Sequence, residues 1–170
     1  MKNKVILTVV CALMGALSSL AGIRPYAVYT SSDKTLTFYY GEYSPGYDVF
    51  IMNSGNDTPA WYYKGISDKV DRVVFDPSFA DARVTTTCAW FTRMTNLTSI
   101  EGLEYLNTEN VTNMYAMFAY CTKLTTLDLS SFDTRNVIVM TYMFYGAEAL
   151  TSLNLSGFNT NEVERTDQMF

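Results

Sequence analysis

The chain has 170 residues, 48% of them hydrophobic and 17% charged, with 12 basic residues against 17 acidic and no histidine. This is one domain's worth of chain. An acidic chain without a basic stripe lacks the phosphate-neutralising charge that nucleic-acid binding needs and gains nothing from anionic membrane surfaces. The missing histidine removes imidazole acid–base catalysis, His-based triads and His metal sites.

In chain order, Met1-Lys2-Asn3-Lys4 is a basic start, Val5 to Leu17 is an apolar run, and Ser19-Leu20-Ala21 is a small-x-small cleavage site. That order predicts a secretory signal peptide over residues 1–21, because the run is shorter than the ~20 residues that span a bilayer. Export is therefore expected, with no membrane insertion of the mature chain. Without Lys2 and Lys4 the balance is 10 basic residues against 17 acidic, a net charge near −7.

Residues 22–66 carry no repeat. Tyr26–Tyr29 and Thr35–Tyr40 alternate like strands, and Ser31-Ser32-Asp33-Lys34 between them supplies turn residues, so a β-hairpin is expected. Tyr47–Met52 is a candidate third strand. Eight of the 13 tyrosines lie between Tyr26 and Tyr63. This β-rich aromatic segment is expected to cap the C-terminal part of the chain, since large rings remove much apolar surface from water.

From residue 67 a phrase returns every 26 residues. Leu124-Thr-Thr-Leu127-Asp-Leu129-Ser-Ser-Phe132 comes back as Leu150-Thr-Ser-Leu153-Asn-Leu155-Ser-Gly-Phe158. A Val…Phe spacing of seven phases four copies: Val84–Phe91, Val111–Phe118, Val137–Phe144 and Val163–Phe170. The first step is 27 residues, and its extra residue falls in the Glu101–Asn107 loop. Leu127-Asp128-Leu129 alternates as a short strand. Val137, Met140, Met143 and Phe144 fall on one face of a helix, with Thr134 placed as its N-cap. The expected fold is an α/β repeat solenoid: a leucine-rich repeat with strand plus helix in each 26-residue unit, about four units over 67–170, the last cut short, behind an N-terminal hairpin cap.

Leu124–Thr134 and Asn136–Phe144 resemble the BspA-like leucine-rich repeat surface proteins, whose repeat is known as DUF285. Val73–Arg83, Trp90-Phe91 and Leu97–Gly102 are similar to the entry segment of those proteins, and Tyr26–Tyr40 to their N-terminal cap. The resemblance implies an exported bacterial surface protein, in some members adhesive to host matrix or other cells.

No catalytic set, cofactor motif or metal-ligand pattern stands out. A carboxylate pair such as Asp128 and Glu101 across adjacent strands reads as solvated surface, and the methionine column Met117, Met143, Met169 as core. Cys88 and Cys121 sit at different phases of the repeat; buried thiols are the default reading, and pairing stays open. Between the inward leucines, Thr126, Asp128 and Ser130, then Ser152, Asn154 and Ser156, form the candidate binding face. Tyr43 and Tyr47, beside Gly41, Pro45 and Gly46, are the candidate exposed aromatics.

The leading expectation is a non-enzymatic surface protein that binds a protein or glycan ligand on a host or neighbouring cell. The alternatives are a structural spacer and a carbohydrate-binding accessory. Because the repeat stops in mid-phrase at Met169-Phe170, either a piece of a longer array or self-association through an open last repeat is expected, the former favoured.

Overall fold

The computed structural model describes residues 22–170, so the expected leader over 1–21 lies outside the described residues. β1 (Ile23–Thr30) and β2 (Thr35–Glu42) pair antiparallel from Ile23↔Glu42 to Thr30↔Thr35. Lys34 turns the chain at φ 53°, and the Asp33 carboxylate accepts the Thr35 amide at 3.2 Å. Alternation drives Ala27 and Tyr29 of β1, and Leu36 and Phe38 of β2, to the buried side. β3 (Val49–Ile51) adds antiparallel to the outer edge of β1. A single-turn helix, α1 (Ala60–Tyr63), comes next and buries Trp61.

β4 (Arg72–Phe75) runs parallel to β2, and β5 (Ser99–Glu101) parallel to β4. One mixed sheet of order β3-β1-β2-β4-β5 results. β6 (Thr126–Asp128) and β7 (Ser152–Asn154) form a separate parallel pair.

The expected α/β repeat solenoid is overturned. The described residues are mostly sheet and turn, and α1, of four residues, is their one α-helix. The segment carrying Val137, Met140, Met143 and Phe144 is a run of turns. Met143 and Tyr145 donate three residues back, to Met140 and Tyr142, both at 3.1 Å. Between them, Met140, Tyr142 and Phe144 donate to the carbonyls of Arg165, Asp167 and Met169 at 2.8, 3.1 and 2.7 Å. A helix would return every amide to the residue four back; here alternate amides leave for the neighbouring repeat.

The left-handed backbone explains how. Ala89, Ala116, Tyr142 and Gln168 form one column with φ between 48° and 60°, and Arg93, Tyr120 and Gly146 a second with φ between 59° and 69°. A left-handed residue every fourth position cannot continue a right-handed helix. It still returns each third or fourth side chain to one side, which is why the spacing mimics a helix. The period itself encodes single parallel bridges, Thr86↔Asn113, Asn113↔Val139 and Val139↔Arg165.

The core lies where the sheet meets these turns. Phe38 stacks on Phe75 at 4.6 Å and on Trp90 at 5.3 Å between ring centroids. Trp61 donates its indole N–H to the Trp90 carbonyl, and Trp90 donates to Asn53 Oδ1, both at 2.8 Å. Both indoles are thus buried with their donors satisfied. From there the phenylalanines continue as a column: Phe91–Phe118 at 5.3 Å, Phe118–Phe144 at 5.7 Å and Phe144–Phe170 at 5.4 Å, the last ring 71% exposed.

Thr134, expected as a helix cap, instead joins two repeats. Its buried hydroxyl donates to the Asn159 carbonyl at 2.8 Å and accepts from the Asn159 amide at 2.7 Å. Thr108 makes the same pair of bonds to Asp133, at 3.0 and 2.8 Å. Thr134→Val keeps the shape and deletes both bonds. Its expected cost is about 1–3 kcal/mol, read as a lower urea midpoint at unchanged slope. A change within error would show that water replaces the hydroxyl without loss.

A candidate binding cleft at the break in the sheet

The sheet stops at β5 although the turn segments stack on without interruption. The break falls in the unit that carries the extra residue. After β5, Gly102 takes φ +74°, and a Cβ there would lie 2.3 Å from the Phe75 carbonyl oxygen. A short 3₁₀ turn, Leu103–Tyr105, comes next and buries Leu103. The later units leave their strands differently. The Asp128 carboxylate accepts the Ser130 amide at 2.9 Å, and the Asn154 side-chain oxygen accepts the Ser156 amide at 3.1 Å, each closing an Asx turn.

Between the two routes lies a cleft of about 360 Å³. Ile100, Leu103 and Leu127 give it apolar walls; Glu104, Thr126, Asp128, Ser130 and Ser131 give it polar ones. The structure brings Thr126, Asp128 and Ser130 together in the cleft, while Ser152, Asn154 and Ser156 stand on and beyond β7, outside it. The acid sharing the cleft with Asp128 is Glu104. Glu101, paired with Asp128 by strand phase, reaches Arg72 at 3.3 Å instead. Glu104 was missed because it lies in the irregular 27-residue unit, and Ser131 because, though inside the repeated phrase, it falls off the alternation of Thr126, Asp128 and Ser130.

The Ser130 hydroxyl, then its backbone amide, and also the Asn154 side chain hold the Asp128 carboxyl below its usual range. A depressed folded-state value means the turn gains stability above the unfolded value of about 3.9 and loses it as pH falls through the folded value. A carboxyl-carbon NMR titration of Asp128 is expected to show a midpoint below that of an unstructured aspartate. Ser130→Ala should move it upward; an unperturbed midpoint would remove the role assigned to Ser130.

Of the candidate aromatics, Tyr47 is 82% exposed, with the Lys64 ammonium 4.9 Å from its ring centroid. Tyr43 is half-buried, edge-on to Tyr26 at 5.9 Å, with the Arg24 guanidinium 5.5 Å from its centroid. Cys88 and Cys121 are unpaired and buried. Burial pushes their thiols up, to about 11 and about 12, so neither is a thiolate nucleophile at neutral pH. Among the described residues no cluster of three metal-ligating side chains occurs, and no helix is long and apolar enough to cross a membrane.

Fold and cleft together define a sheet-and-turn protein built on a 26-residue period, with an open break between two strands. The chain belongs to the DUF285 family: the model described as "Mycoplasma protein of unknown function, DUF285" matches residues 77–170, more than half of the sequence. No curated protein and no solved structure matches the chain.

Proposed function

We propose that this chain is an exported, non-enzymatic cell-surface protein of the BspA-like kind, which binds a protein partner on a host or neighbouring cell through the cleft between β5 and β6. The observation that carries the reading is the convergence of Thr126, Asp128 and Ser130 on a break flanked by two strands that do not pair with each other. Strand edges present backbone donors and acceptors, and an extended segment of a partner adds to such an edge by main-chain hydrogen bonds. The carboxylates of Asp128 and Glu104 beside that edge favour a segment carrying lysine or arginine and repel an acidic one.

The test is retention of the purified protein on immobilised extracellular-matrix proteins and on intact host cells. Asp128→Lys is expected to lower retention at least tenfold, whereas Asn110→Lys, outside the cleft, leaves it unchanged. Equal retention of both variants, or none by the parent protein, would overturn the reading. Export has its own readout: a secreted chain that begins at Gly22 supports it, and one that retains Met1 does not.

A further inference from the structure

A second concave surface lies on the turn segments, away from the strands. Tyr115, Tyr142, Tyr145 and Tyr120 form a continuous chain of edge-to-face rings. Their centroids are 5.7 Å apart from Tyr115 to Tyr142, 5.4 Å from Tyr142 to Tyr145, and 5.4 Å from Tyr145 to Tyr120. Tyr62 of α1 lines the same groove, whose volume is about 500 Å³. Its floor is the buried alanines Ala89, Ala116 and Ala119.

The rings are held in place. The Arg93 guanidinium sits 5.4 Å from the Tyr120 centroid. On another side the ring lies against Gly146, where a Cβ would come within 2.7 Å of Tyr120 Cδ1. Tyr115 and Tyr120 nevertheless remain 37% and 39% exposed. An aromatic array immobilised before binding loses little side-chain freedom when a ligand arrives.

The chemistry of the lining names the ligand class. Thr58, Thr92 and Gln168 complete the groove, and among the described residues no side chain charged at neutral pH lines it, in a chain whose net charge is −5. The lining offers no formal charge to pair with an ionic group, which favours a neutral occupant. Among the described residues the tyrosine hydroxyl that finds a protein partner is that of Tyr29, so the five in the groove are free. Tyrosine and threonine hydroxyls both donate and accept. A polyproline segment, the other common occupant of aromatic grooves, offers carbonyl acceptors and no backbone donors. A sugar offers hydroxyls that donate and accept around a ring with C–H-rich faces, matching free hydroxyls interleaved with aromatic surface. We propose that this tyrosine groove is a binding site for a neutral oligosaccharide. It is independent of the cleft between β5 and β6.

The probes are neutral hexasaccharides of glucose, N-acetylglucosamine, mannose and galactose, titrated into the purified protein by calorimetry, with decaproline in parallel. At least one sugar is expected to bind saturably with a millimolar or tighter dissociation constant. Tyr115→Ala and Tyr145→Ala should each weaken it at least tenfold. Tyr115→Phe and Tyr145→Phe, which keep the rings and the fold, should lose an intermediate amount. Asp128→Lys should leave it unchanged, which separates this site from the cleft. Three outcomes overturn the proposal: no sugar binds at millimolar concentration, binding persists in the double alanine variant, or decaproline alone binds in a tyrosine-dependent manner.

Discussion

Phe118→Ala is expected to destabilise the protein by about 3–5 kcal/mol, the range for truncating a fully buried aromatic ring. Phe118 has no exposed surface and sits between Phe91, at 5.3 Å, and Phe144, at 5.7 Å and nearly parallel. Truncation removes the ring's transfer energy, leaves a cavity whose walls belong to two neighbouring repeats, and abolishes two ring pairs worth about 0.5–1.5 kcal/mol each beyond area. The walls cannot close over it, because alternate amides tie the repeats together: Phe91 donates to Met117 at 2.9 Å and Phe118 to Met143 at 2.8 Å. Phe170 belongs to the same column but is 71% exposed, so Phe170→Ala should cost about 1 kcal/mol or less. Urea unfolding of both variants decides the matter. Comparable losses would mean the column is not a continuous core.

Gly102→Ala is the second large effect, expected at about 3 kcal/mol or more. Two costs add. An L-residue at φ +74° loses about 1–2 kcal/mol. The new Cβ must also displace the Phe75 carbonyl, 2.3 Å away, and Phe75 is the last residue of β4, fixed by its parallel pairing with β2. Gly55 isolates the first cost: it has φ +55° and open space where a Cβ would go, so Gly55→Ala should lose no more than about 1–2 kcal/mol. The comparison uses the same urea midpoints. Gly102 also lines the cleft. A shift of its backbone is therefore expected to lower partner retention together with stability, whereas Gly55→Ala leaves retention intact. Equal stability losses at the two glycines would show that β4 yields.

Much of the molecule is legible in the residues. Alternation around Ser31–Lys34 places the hairpin, and phasing on Val and Phe places the column Phe91, Phe118, Phe144, Phe170. The outward positions Thr126, Asp128 and Ser152 are exposed, as alternation requires. The helix expected over Val137–Phe144 is replaced by a chain of turns, whose left-handed residue every fourth position buries the same side chains as a helix would. Spacing reports which side chains share a face; it does not report where the amides go. The tyrosine groove is illegible for another reason. Tyr115 and Tyr120 lie four and nine residues after Val111, Tyr142 and Tyr145 five and eight after Val137, so no column contains two of them.

The period, the buried column and the outward faces follow from the order of residues alone, because each depends on side-chain polarity at fixed intervals along one chain. The tertiary structure alone decided that the repeats are turns bonded to their neighbours, that the sheet breaks between β5 and β6, and that four out-of-phase tyrosines meet. Each of these depends on which backbone groups pair across 25 to 27 residues, a choice made only when the segments lie against one another.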